Sequence, residues 1–283
     1  MFALSITVAV FGMTGNILAL IVLSKEKTKS TRVFLLKSLA VTDLTFLITI
    51  ALHLPCMRQF NFYSGMTCMH LATFKDIPKI LSIWMVVLVT VDRYIYITKP
   101  LEAQNISTIK RMKMAVVILT TVSIVYNIPM IVITYSDTID LDLLNSLFWG
   151  HVSYYVIFTY AGPVIIVSVL NMKLVQSILK SRRSVQQINE MTNNELEDRK
   201  QTLTMIAIVS VFMLLSVVCL VHVILFILQE YQMMEIYISF PYIIRLREFL
   251  YICNSSCNFI FYFIFGKTFR RELKRILLCR PPT

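Results

Sequence analysis

Residues 68–100 read CMHLATFKDIPKILSIWMVVLVTVDRYIYITKP. A helix-length apolar run, Ile77 to Ile97, carries Lys75, Asp76 and Lys79 near one end and the pair Asp92-Arg93 at the other. A charged side chain inside a membrane helix costs about 2.5–3.5 kcal/mol even on lenient insertion scales, so charges within or at the lip of a span are candidate working parts. The rest of the chain reads as scaffold around this helix.

Composition points to a bilayer. The chain is 57% apolar and 15% charged, whereas a soluble domain shows about 45–50% apolar and about 25% charged residues. Mean hydropathy is +0.71. Six glycines and eight prolines leave little room for loops, and no repeat or low-complexity tract is visible. One compact all-α bundle is expected.

Seven runs are long enough to cross a hydrocarbon core that needs about 20 residues: Met1–Leu23, Val33–Met57, Cys68–Ile97, Met112–Ile133, Val152–Leu179, Leu203–Leu228 and Ile236–Phe265. Backbone amides in lipid must be satisfied within the segment, which leaves helices for runs this long. An odd number of spans puts the two termini on opposite sides.

Positive charge sets the orientation. Lys25, Lys27, Lys29, Arg32 and Lys37 follow span one, and Arg93, Lys99, Lys110, Arg111 and Lys113 follow span three. Lys173, Lys180, Arg182, Arg183, Arg199 and Lys200 follow span five; Lys267, Arg270, Arg271, Lys274, Arg275 and Arg280 follow span seven. That side is the cytosol, so a plasma-membrane protein with its N-terminus outside and its C-terminus inside is expected. The net charge of +11 is then a topology signal and an attraction to anionic lipid, with no nucleic-acid footprint. The opposite loops carry Asp137, Asp140, Asp142, Glu230 and Glu235, an outer mouth that favours cationic ligands or is simply solvated. Met1 enters the apolar run without a basic lead or cleavage site, so either span one is the insertion signal or an outer tail has been lost, the latter being favoured.

The N-x-S/T matches at Asn105 and Asn254 fall in an inner loop and a span, away from glycosylation. Cys219, Cys253 and Cys257 sit within spans. Cys279, beyond the basic stretch, is a candidate for palmitoylation as well as a free thiol. Cys56 and Cys68 are the two that reach the oxidising outer side.

These residues together resemble the rhodopsin-like, or class A, G-protein-coupled receptors over essentially the whole chain. The resemblance is carried by Gly15-Asn16, Leu39-Ala40-Val41-Thr42-Asp43, Asp92-Arg93-Tyr94 with Pro100 beyond, Pro129, Pro163, Asn258-Phe259-Ile260-Phe261-Tyr262, and Phe265-Gly266-Lys267-Thr268-Phe269. It implies one receptor domain over residues 1–266, then an amphipathic eighth helix and short cytoplasmic tail over 267–283. Asn254-Ser255-Ser256-Cys257-Asn258-Phe259 is similar to the peptide-receptor branch that includes FMRFamide-type invertebrate neuropeptide receptors.

The function so implied is binding of an extracellular ligand, a neuropeptide by preference, with activation of a heterotrimeric G protein. No cofactor is required; an allosteric sodium ion is the one candidate the resemblance implies. Arg93 would contact Asp92 and an acidic residue at the foot of span six, for which Asp198 is the candidate, and would then meet the G protein. Tyr94 and Tyr262 belong to the same switch. By resemblance Asp43, with Asn16, Ser82, Asn254, Ser255 and Asn258, forms a hydrated pocket for sodium, the alternative being a protonated acid in a polar network. Lys75, Asp76, Lys79 and Glu248 stand where ligands enter such bundles. Lys75 and Lys79 share a face, Asp76 is placed to pair with Lys79, and Pro78 should kink the helix; snorkelling of the lysines to the surface is the bland reading. No aspartate stands at the Lys75 position and no lysine in span seven, which speaks against amine receptors and retinal proteins.

The chain also departs from the pattern. Thr134–His151 has no cysteine to partner Cys68, although a Cys56–Cys68 bridge is conceivable. Span four lacks its tryptophan, span six lacks the C-W-x-P toggle near Phe212 and Cys219, Asn171 stands for tyrosine, and Phe259 for proline. A receptor for a non-peptide ligand or a non-signalling decoy is the alternative reading. A transporter, the rival from another class, should show inverted repeats or a file of polar residues. An enzyme is disfavoured because His53, His70, His151 and His222 are scattered and no nucleophile stands beside a base.

Overall fold

The computed structural model describes residues 1–26, 30–58, 66–135, 140–185, 240–265 and 267–278, with a few residues between 217 and 224. Asp198, Phe212, Cys219, Cys279 and nearly all of the sixth predicted span lie outside the described residues. The remaining spans are helices: Phe2–Lys25, Thr31–Arg58, Met66–Phe74 with Asp76–Thr98, Ile109–Tyr135, Leu141–Val185 with one π-helical turn, and Phe240–Phe265. They are numbered below as spans one to five and seven.

The hydroxyls these apolar helices carry close back on their own backbone. Thr7, Thr14, Thr45, Thr90 and Thr120 each donate to the carbonyl four residues earlier, which satisfies these hydroxyls within their own helices.

Span three is the central helix. Of its most apolar window 56% is buried in the bundle, against 11% for span four, so span four presents its surface to lipid while span three is enclosed. Its axis breaks at Lys75, between Met66–Phe74 and Asp76–Thr98. Pro78 has no N–H to offer the carbonyl of Phe74, and the turn is bridged instead by a long 3.4 Å bond from Lys79 N to Lys75 O.

Spans one and seven approach closely because span one lines up Ser5, Ala9, Gly12, Gly15 and Ala19 on its buried face. A Cβ on Gly12 would sit 2.7 Å from Ser256 Cβ and 2.9 Å from Leu47 Cδ1; one on Gly15 would sit 2.7 Å from Phe259 Cβ. Ser256 meanwhile donates to the Val8 carbonyl at 3.1 Å. Phe259, bulky where the resemblance leads one to expect proline, is accommodated by the space Gly15 leaves. Gly12→Val is expected to separate the two helices, since the clash is with a second helix and not a flexible tip, and to cost about 1–3 kcal/mol. The check is the detergent melting temperature; a value equal to wild type would mean the packing is looser than described.

The outer loop expected over Thr134–His151 is largely helical. Span four runs to Tyr135 and span five begins at Leu141 behind Asp140 at its N-cap, with Asp142 in the first turn; Leu141, Leu143, Leu144, Leu147 and Phe148 with no proline extend the helix past the Val152 start read from hydropathy. Residues 156–161 form a π-helical turn directly before Gly162-Pro163. Proline cannot donate there, and the freed Phe158 carbonyl accepts from Trp84 Nε1 of span three at 3.1 Å.

Cys56 and Cys68 are disulfide-bonded with Cα atoms 5.8 Å apart, which pins the outer ends of spans two and three together. After span seven the helix Lys267–Leu277 turns through 93°. It buries Phe269 and Leu273 and exposes Arg271 and Lys274. Arg270 reaches back to the Phe263 carbonyl at 3.0 Å and to that of Ile264, capping the last turn of span seven with positive charge.

Candidate functional site

Three polar layers lie inside the bundle. At mid-membrane Asp43 is completely buried. One oxygen accepts from the Ser82 hydroxyl, the other from Asn258 Nδ2 at 2.6 Å, and the Ser255 hydroxyl is a further hydrogen-bonding neighbour. Asn16 donates to Gly12 O at 2.9 Å and Ser255 O at 3.0 Å, so it steadies the span-seven backbone beside the carboxylate. Asn254 is buried on the same helix, its carbonyl accepting from the Cys257 thiol at 3.1 Å. Among the described residues, the hydrogen bonds Asp43 accepts come from neutral hydroxyl and amide groups. Carboxylate and hydroxyl oxygens are ligands a hard cation takes, while Asn258 and Asn16 turn their Nδ2 donors into the network.

At the end of span three opposite Lys75 the buried Asp92 accepts from the Ser107 hydroxyl, which fixes the short helix Pro100–Ile106 against span three. Sequence reading considered Ser107 only as part of an unused glycosylation match. Arg93 Nε and Nη2 are screened from solvent. Lys173 Nζ lies 6.0 Å from the Tyr94 ring centre, and Tyr262 packs on Phe269 with centroids 5.8 Å apart. The proposed contact of Arg93 with Asp198 falls outside the described residues.

The outer layer is a run of alternating charge. Arg247 Nη2 contacts Glu248 Oε1 at 3.0 Å, the same oxygen takes Lys75 Nζ at 3.0 Å, Lys75 lies 3.4 Å from Asp76 Oδ1, and Lys79 lies 2.6 Å from that oxygen. Glu248 is 1% exposed and Lys79 2%, so the surface-snorkelling reading of the lysines does not hold. Burial this deep requires both partners of each pair. Lys79 also donates to the Tyr155 hydroxyl at 2.8 Å and stands 5.1 and 5.0 Å from the ring centres of Tyr155 and Tyr251, a cation–π arrangement. The tyrosines escaped sequence reading because spans five and seven are rich in aromatics with no signal to mark the inward ones.

Fold and site together define a polytopic helical membrane protein with a charged outer layer, a buried carboxylate network and an arginine at the inner lip. A family model described as 7 transmembrane receptor (rhodopsin family) matches residues 15–262, and the chain belongs to that family: it is a G-protein-coupled receptor and not an enzyme. It is 26% identical to an FMRFamide receptor of Drosophila melanogaster over 93% of this chain and 51% of that protein. It is 25% identical to the sex peptide receptor of the same organism, over 94% of this chain and 69% of the relative. A probable G-protein coupled receptor of Caenorhabditis elegans is 21% identical over 69% of this chain and 51% of its own length. The chain thus spans about half the length of the FMRFamide receptor and of the nematode protein.

Proposed function

We propose that this receptor sits in the plasma membrane with its N-terminus outside, binds an extracellular neuropeptide at the Lys75, Asp76, Lys79 and Glu248 layer, and activates a heterotrimeric G protein through Asp92, Arg93, Tyr94 and Tyr262. The observation that carries the reading is the buried ion run joining spans three and seven at the outer end of the bundle. A ligand that competes for any one of these charges alters the contact between the two helices, and so changes the balance between two packings. The printed names of two relatives, an FMRFamide receptor and a sex peptide receptor, favour a peptide over a small molecule.

The test is a panel of amidated and free-acid peptides applied to cells that co-express the chain with a promiscuous G protein. At least one peptide is expected to raise second messenger only in receptor-bearing cells; silence across the panel, together with no nucleotide exchange in isolated membranes, would defeat the reading. The Asp43 pocket adds an expectation of its own. Raising sodium at constant ionic strength should weaken binding of whichever peptide activates, because an ion held by Asp43 favours the packing without agonist, and Asp43→Asn should remove that dependence. An affinity indifferent to sodium in the parent chain would assign Asp43 to a purely structural network.

A further inference from the structure

Between the outer ion run and the Asp43 network lies a closed ring of four side chains from three spans. Lys79 of span three donates to the Tyr155 hydroxyl at 2.8 Å. Tyr155 packs edge-on against Tyr160, centroids 5.4 Å apart. Tyr160 accepts a 2.6 Å hydrogen bond from the Tyr251 hydroxyl of span seven, and the Tyr251 ring returns to Lys79 at 5.0 Å. Tyr160 and Tyr251 are both buried. The π-helical turn Val156–Ala161 adds a residue to its turn, which changes the facing of Tyr155 relative to Tyr160 by about 100° from an uninterrupted helix and lets both point inward.

The ring touches both neighbouring layers. Lys79 pairs with Asp76 above it. Tyr251 lies two helical turns before Asn258, which holds Asp43 at 2.6 Å. Resting on the receptor reading above, we propose that Tyr160 and Tyr251 are positioning residues that couple the ligand layer to the inner switch, their hydroxyl–hydroxyl bond holding spans five and seven in the packing that keeps Arg93 turned in. In the packing described, Arg93 Nε and Nη2 are shielded from solvent. A ligand that draws Lys79 away from Asp76 removes the cation from between the Tyr155 and Tyr251 rings, and the tyrosine pair loses its support. A double-mutant cycle separates coupling from proximity.

Membranes bearing the full chain, Tyr160→Phe, Tyr251→Phe or the double variant are mixed with purified G proteins, and ligand-free GTPγS uptake is measured per receptor. Phenylalanine keeps each ring and removes the bond. One net hydrogen bond between neutral groups corresponds to about a fivefold change in an equilibrium, so each single variant should raise uptake about fivefold. Tyr160→Phe also removes its hydrogen bond with Tyr155, so the double variant should rise no further than Tyr160→Phe alone, the Tyr160–Tyr251 bond being lost only once. Tyr154→Phe, on the exposed face of span five, should match wild type. Single variants with unchanged or lowered uptake, or effects that multiply in the double variant, overturn the inference while leaving the receptor reading intact. Absence of uptake in the wild type and every variant, with and without the peptides of the panel above, overturns the receptor reading, and this inference with it.

Discussion

Glu248→Ala should destabilise the folded receptor by about 3–5 kcal/mol, the cost of removing one partner from a buried ion pair. The reason is that one carboxylate oxygen serves two cations. Glu248 Oε1 is 3.0 Å from both Lys75 Nζ and Arg247 Nη2, and with the carboxylate gone Asp76 alone faces Lys75 and Lys79. Surface expression and detergent melting temperature should both fall sharply. Glu248→Gln, which keeps the shape and an acceptor oxygen but not the charge, should fall less. Adding Lys75→Met to Glu248→Ala should recover part of the loss, because it removes one of the stranded cations. If Glu248→Ala melts with wild type, the run of charges contributes nothing net, and the link it makes between spans three and seven is incidental.

The second large effect is on signalling. Arg93→Ala should reduce agonist-driven nucleotide exchange to the level of membranes without receptor while leaving peptide affinity within about twofold. The guanidinium stays charged and offers a fork of donors to backbone carbonyls or carboxylates of a partner, and alanine offers none. Arg93→Lys should also fall well short, since a single ammonium cannot reproduce the fork. Ser107→Ala makes a useful companion, because it frees Asp92 from its hydroxyl without touching the arginine. Coupling that survives Arg93→Ala would move the reading point for the G protein elsewhere on the inner face.

Several parts of the outcome were legible from residue order. The spacing of apolar runs placed spans one to four and seven within a few residues of their helices, and Pro78 marked the break in span three. Charge pattern and burial cost were enough to single out Asp43, Asp92, Arg93, Lys75, Lys79 and Glu248. The Lys79–Asp76 pair followed from their spacing on one helix. Span five was misjudged at its outer end: hydropathy averages over Leu141–Tyr155 are diluted by Asp142, Asn145, Ser146 and His151, though nothing there stops a helix.

Residue order by itself determined that the chain is a bundle of membrane helices with charges at three depths, because the periodicity, length and cost of charge in lipid are local properties. Only tertiary structure decided which of those charges meet. The Lys75–Glu248 pair spans 173 positions, the Asn258–Asp43 bond 215, and the Tyr160–Tyr251 bond 91. Such pairings depend on how helices rotate and approach one another, set here by the small side chains of span one, the π-helical turn of span five and the Cys56–Cys68 bridge. Even where a pattern such as the small residues of span one is visible along one helix, the partner it meets is not.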